Sequence, residues 1–185
     1  MTPKIIDAQK LHIGDIVLIA TRNPVTIWVQ KRLRFGEASK WTHIAGSLGG
    51  RNLIEGQMPR ARIANIQEDY VAKGFEIKVM RKKEWVGKED RFKVALWWAS
   101  MNNLGYDFGQ LAWFGIACLT AARQTFLLLQ NKCNTIGKKI CSELIAEGFY
   151  KEGYNLFEVE AHNIMPAHYF GSPHFVEVED IWESA

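Results

Sequence analysis

Two apolar runs, WTHIAGSL at 41–48 and NLIEGQM at 52–58, flank the pair Gly49-Gly50. Glycine pairs supply the positive φ angles that tight antiparallel turns need, so this spacing predicts a β-hairpin. Side chains alternate across a strand, and the turn therefore also decides which polar residues share a face. A strict two-residue turn sets His43 opposite Gly56 and puts Glu55 opposite Ile44, on the wrong side. One further loop residue, or a bulge between Ser47 and Leu53, sets Glu55 opposite Ala45 and diagonal to His43 on the same face. We expect the irregular loop, with the Glu55 carboxylate in hydrogen-bond reach of the His43 ring. Gln57 and Asn52 are the next candidates if Glu55 points away.

The rest of the chain extends the sheet and then covers it. Gly14-Asp15 reads as a turn before a short buried strand, IVLIA at 16–20. Residues 21–40 are polar and mixed, contain Pro24 and Gly36, and read as a long excursion. FEIKVM at 75–80 alternates and predicts another strand, whereas 90–103 has helical spacing that stops before Gly105. Leu144, Ile145 and Phe149 make an amphipathic helix beginning at Cys141, and HFVEVED at 174–180 is a late strand beyond Pro166 and Pro173. Strands, then helices, then a last strand point to an α+β fold, with helices packed on one side of a small antiparallel sheet or partial barrel. With no internal repeat or linker, the 185 residues form one domain.

A net charge of +3 with scattered basic residues argues against nucleic acid as a partner. Three cysteines, an odd number without repeated spacing, do not make a disulfide framework. The N-terminus has no apolar signal segment, so a cytoplasmic location is the expectation. The exception to ordinary globular patterning is LAWFGIACLTAARQTFLLL at 111–129, within an apolar helical insert around 108–132. Arg123 and Gln124 interrupt it, which favours a buried or interfacial helix over a membrane span and leaves peripheral membrane contact open.

Cys141 stands where its helix should start. Free N–H groups and positive potential at a helix N-terminus favour thiolate and can hold an oxyanion. Such a thiol is a good nucleophile when a base handles its proton. His43 is the best placed of the five histidines, with Glu55 on the partner strand to fix its tautomer. His12, His162, His168 and His174 have no evident orienting acid. Cys118, in the apolar stretch, and Cys133, in a polar one, read as ordinary cysteines. A zinc site from His43, Cys133 and Cys141 lacks any supporting Cys-x-x-Cys or His-x-x-x-His spacing, and no cofactor or metal is expected.

The segments GDIVLIA, WTHIAGSLGGRNLIEG, GYDFGQL and ICSELIAEGF together resemble the permuted NlpC-type cysteine peptidases and amidases, specifically the YiiX-like branch. The histidine precedes the cysteine, as in the permuted arrangement, and Glu55 follows His43 by twelve positions, the spacing of that family's third polar residue. The resemblance implies a permuted papain-like fold and a Cys141–His43–Glu55 triad. It also implies hydrolysis or transfer at an amide, peptide, ester or thioester bond, with Tyr106 as a wall of the site. Peptide, cell-wall peptide and fatty-acyl compounds are the implied substrates. Ile140 departs from the aromatic residue that many relatives carry before the cysteine, and CSEL lacks the Asn-Cys-Glu-His of lipid acyltransferases. The alternative from another class is a non-catalytic lipid-binding or membrane-surface module on the same fold.

Overall fold

The hairpin at Gly49-Gly50 is the centre from which the sheet grows. In the computed structural model, which describes residues 5–87, 89–107, 109, 138–159 and 161–183, β2 (His43–Gly49) pairs antiparallel with β3 (Asn52–Gly56). Their register sets Ala45 opposite Glu55 and Ser47 opposite Leu53, then shifts between Ser47 and Gly49. Gly49 and Gly50 hold φ values of 99° and 61°, so only this irregular, glycine-built turn lets the two strands meet in that register. The expected bulge is present.

Around this pair stand β1 (Ile16–Ala20), β4 (Ala61–Asn65), β5 (Glu76–Lys82) and β8 (Phe175–Glu177), giving a six-stranded sheet ordered β4-β3-β2-β1-β5-β8. Every neighbouring pair is antiparallel. Two short strands, β6 (Gly105–Tyr106) and β7 (Lys138–Lys139), form a separate parallel pair. The fold is α+β, as the order of apolar patterns predicts.

The helices α2 (Asp90–Ser100) and α3 (Cys141–Lys151) cover one face, packing on Ile16, Leu18, Ile44 and Ile54. Trp98 of α2 is the wedge between them. Its indole is fully buried and donates to the Ile145 carbonyl at 3.1 Å. A Cβ at Gly46 of β2 would stand 2.5 Å from that ring, and one at Gly148 of α3 only 2.1 Å, so both glycines make room for it. The opposite face, carrying Val17, Ile19, Ala45, Leu53 and Val79, is closed by Ile6, Leu11, Ile66, Tyr70 and Ile181.

Several elements differ from the sequence expectation. Residues 21–40 are not an irregular excursion: they contain α1 (Pro24–Arg32) and a 3-10 turn, Gly36–Lys40. Asn23 caps α1 by accepting from the Val25 and Thr26 amides, both at 3.1 Å, and Pro24 opens its first turn. The inward residues of α1 are Thr26, Val29 and Gln30, which gives no apolar stripe to read. Buried Gln30 substitutes hydrogen bonds for apolar contact, donating to the Ser39 and Trp41 carbonyls and accepting from the Ala167 amide. Helix α2 stops at Ser100 rather than Asn103: the Met101 and Asn102 amides tighten onto the Trp98 and Ala99 carbonyls, three residues back, and the Asn103 amide leaves for the Ala61 carbonyl. Strand β4, a short α4 (Pro166–Tyr169), a π-helical turn, Gln67–Val71, and a 3-10 turn, Ala161–Asn163, complete the described elements. Among the described residues no helix is long and apolar enough to cross a membrane. The apolar insert at 111–129, with Cys118 and Cys133, lies outside the described residues.

Candidate active site

Helix α3 begins at Cys141 itself, with Ile140 in extended conformation at the N-cap and no side chain capping the first turn. The terminal N–H groups are thus left for other acceptors. The helix end is pressed against β3 at a glycine: a Cβ on Gly56 would lie 3.0 Å from both the N and Cα of Cys141. Ser142, next to it, is occupied elsewhere. Its hydroxyl donates to the Ile164 carbonyl, and its own carbonyl accepts from the Tyr169 hydroxyl at 3.2 Å, anchoring α3 from behind.

His43 opens β2 and lines a cleft of about 480 Å³ together with Cys141, Gly56 and Tyr106. Its Nε2 lies 2.7 Å from Glu55 Oε2, which leaves Nδ1 for the thiol side. Burial alone would lower the pKa of the ring. The charge of Cys141 and its hydrogen bond to the ring, followed by the hydrogen bond and charge of Glu55, overcome that and push it up to about 10. The imidazolium is therefore the favoured state of the ring.

Glu55 is fully buried, and both of its oxygens meet donors. Oε2 receives His43 and the Tyr70 hydroxyl; Oε1 receives Arg62 Nε at 2.9 Å. Burial would raise its pKa, but His43, then Tyr70 and Arg62, hold the carboxyl below the usual range, so it stays ionised. Burial, then the Glu55 charge, drives the Tyr70 hydroxyl well above its ordinary value and keeps it a donor. Arg62 is itself tied to Asp69 at 3.5 Å, and Asp69 to Lys73 at 3.4 Å.

The structure thus brings Cys141 and His43 together at one cleft, with Tyr106 on its wall and the buried Glu55 hydrogen-bonded to His43. Burial, then the Cys141 and Asp107 charges, raise the Tyr106 hydroxyl above its ordinary pKa. Gln57 also lines the cleft, whereas Asn52 sits at the far end of β3 opposite Asn65. Sequence reasoning missed Tyr70 and Arg62. Arg62 had one readable signal, since β4 sets it directly opposite Glu55; Tyr70 reaches the site from a π-helical turn that no periodicity announces.

No family model matches the chain, and no curated protein matches it. The chain is similar in fold to the crystal structure of metalloprotein YiiX from Escherichia coli O157:H7, designated DUF1105. That likeness has a TM-score of 0.60 at 14% identity and covers 94% of this chain and 99% of the other. It defines the architecture as YiiX-like. Among the described residues, no three His, Cys, Asp or Glu side chains converge as a metal-binding group. At the cleft, both Glu55 oxygens are already taken by protein donors.

Proposed function

We propose that this chain is a cysteine hydrolase of the permuted papain-like, NlpC-type kind, acting on an amide, peptide or acyl ester bond. The observation that carries this reading is the hydrogen bond from His43 Nε2 to the buried Glu55 carboxylate, with the remaining side of the ring turned to Cys141 at a helix start. A histidine fixed in this way is held in one tautomer and stabilised as imidazolium, which is what a thiolate nucleophile needs beside it.

The Cys141 sulfur attacks the carbonyl carbon, forming the C–S bond, while N–H groups at the α3 terminus meet the developing oxyanion. The His43 imidazolium gives its proton to the leaving amine or alcohol as the C–N or C–O bond breaks. Water then loses a proton to His43 and attacks the thioester, and the acid departs as the thiolate returns. Tyr106 forms a wall against which the acyl part rests. Peptides, including cell-wall peptides, and fatty-acyl amides or esters are the substrate classes to screen.

The test is limited alkylation with iodoacetamide near neutral pH, followed by peptide mapping. Cys141 should react faster than Cys118 or Cys133, and lose that advantage in His43→Ala. Equal labelling of all three cysteines, or no effect of His43→Ala, would sink the enzyme reading and leave the non-catalytic module on this fold.

A further inference from the structure

Each side of the cleft is lined by an element that also carries exposed apolar side chains. On one lip α1 turns Val25 and Trp28 to solvent, 53% and 42% exposed; on the other, the turn between β3 and β4 presents Met58 at 54%. The two lips face one another across the same cleft, which Asn23 and Thr26 line from the first and Gln57 and Met58 from the second. A water-facing tryptophan one helical turn from Val25, with Met58 across the cleft, is poor surface for a protein that meets only solvent.

Cations surround them. Arg22, Lys31, Arg32, Arg34 and Arg60 are exposed, and none makes an ion pair among the described residues. The only acid between residues 21 and 39 is Glu37. Arg22 and Arg34, which bracket α1, hold φ values of 59° and 65°, a conformation that glycine or asparagine adopts more cheaply. Arginine at both places keeps a cation at each end of the helix against a backbone preference.

We propose that this rim docks the protein on an anionic lipid surface, with Trp28 and Val25 entering the interfacial layer and the cations meeting headgroups. A tryptophan ring suits that layer, and basic side chains add attraction to anionic lipid. Helix α1 has nine residues, roughly 13 Å of helix, so it lies in the interface and does not span it. Nucleic acid fits less well, because Trp28 offers this rim one exposed π-face and Val25 and Met58 add none for a second base to stack on. The proposal does not depend on thiol chemistry.

Sedimentation of the full chain with vesicles of phosphatidylglycerol and phosphatidylcholine, against phosphatidylcholine alone, tests it. Binding should need the anionic lipid and weaken with salt. Each cation near the surface contributes roughly fivefold in partitioning, so Lys31→Gln with Arg32→Gln should cut binding by about twenty-five-fold. Trp28→Ala should cut it independently. Lys83→Gln with Lys151→Gln, which removes exposed charge elsewhere, including the far end of α3, should have a much smaller effect. Cys141→Ser should bind as the parent does, which separates this result from the hydrolase reading. The proposal fails if anionic vesicles do not sediment the protein at low salt. It fails equally if the α1 variants bind undiminished, which would move the contact to another part of the chain such as 111–129. Retention of single-stranded RNA without retention of vesicles would also overturn it.

Discussion

Replacing Glu55 by glutamine changes one charge while keeping the shape of a fully buried side chain. Three donors converge on the carboxylate: His43 Nε2 at 2.7 Å and the Tyr70 hydroxyl on Oε2, and Arg62 Nε at 2.9 Å on Oε1. Glutamine brings one acceptor oxygen and one amide nitrogen that only donates. With its oxygen toward His43 and Tyr70, the nitrogen faces Arg62, whose side chain is 44% exposed and free to turn toward water. The fold should therefore survive, and the loss falls on the imidazolium. A hydrogen bond to a charged group contributes about 1.5–3 kcal/mol, against about 1 kcal/mol for a neutral pair. The protonated ring then loses on the order of 1 kcal/mol, or close to one pH unit. Glu55→Gln should lower the His43 pKa by about that much from its parent value near 10, read by NMR of the labelled imidazole. An unmoved His43 titration in a folded variant would refute the claim that the Glu55 charge acts on the ring.

Two further predictions concern the same corner of the molecule. Gly56→Ala places a methyl group 3.0 Å from backbone atoms of Cys141, which cannot yield without moving α3; it should cost about 1–3 kcal/mol in urea unfolding and slow Cys141 alkylation, and parent-like values for both would show that the close approach does not matter. Cys141→Ser removes the main causes that raise the His43 pKa above 6.5. In the parent, the stabilisation from the raised value is fully present below pH 6.5 and is lost as pH rises through about 10. The serine variant should lose it at lower pH, so unfolding midpoints from pH 6 to 10 should fall earlier; coincident curves would contradict this.

The parts of the site that were legible in the sequence were those written in strand alternation and turn chemistry. Gly49-Gly50, the apolar runs beside it and the requirement that His43 and Glu55 share a face together call for the bulge that the register shows. The start of α3 at Cys141 was legible from its apolar stripe. Helix α1 was hidden because its inward face holds Thr26 and Gln30, and the burial of Gln30 is satisfied by hydrogen bonds to distant backbone. Tyr70 was hidden for a related reason. Its value to the site is one hydroxyl delivered across the hairpin, and neither periodicity nor spacing encodes a contact between residues fifteen positions apart.

Burial of a carboxylate does not by itself mark a functional group, and this protein contains the comparison that shows why. Asp15 is 2% exposed and is held by Arg81 through two bonds of 2.8 and 2.7 Å, while also accepting from the His12 amide at 2.9 Å. Arg81 in turn donates to the Lys10 carbonyl, so that network closes on backbone and ties β1 and β5 to the N-terminal segment. The network around Glu55 is built from similar parts but does not close. One of its members, His43, has a second ring nitrogen left over, and the group it meets is a thiol at a cleft. An apolar side chain in place of a buried ion pair often serves stability equally well. At Asp15 the charge is accounted for by the ties it makes. At Glu55 the charge has a further consequence, a raised proton affinity at His43, and that consequence is delivered to the one side chain among the described residues of the cleft able to act as a thiol nucleophile. This difference in where the two networks end is the physical ground for reading the second as a candidate catalytic apparatus.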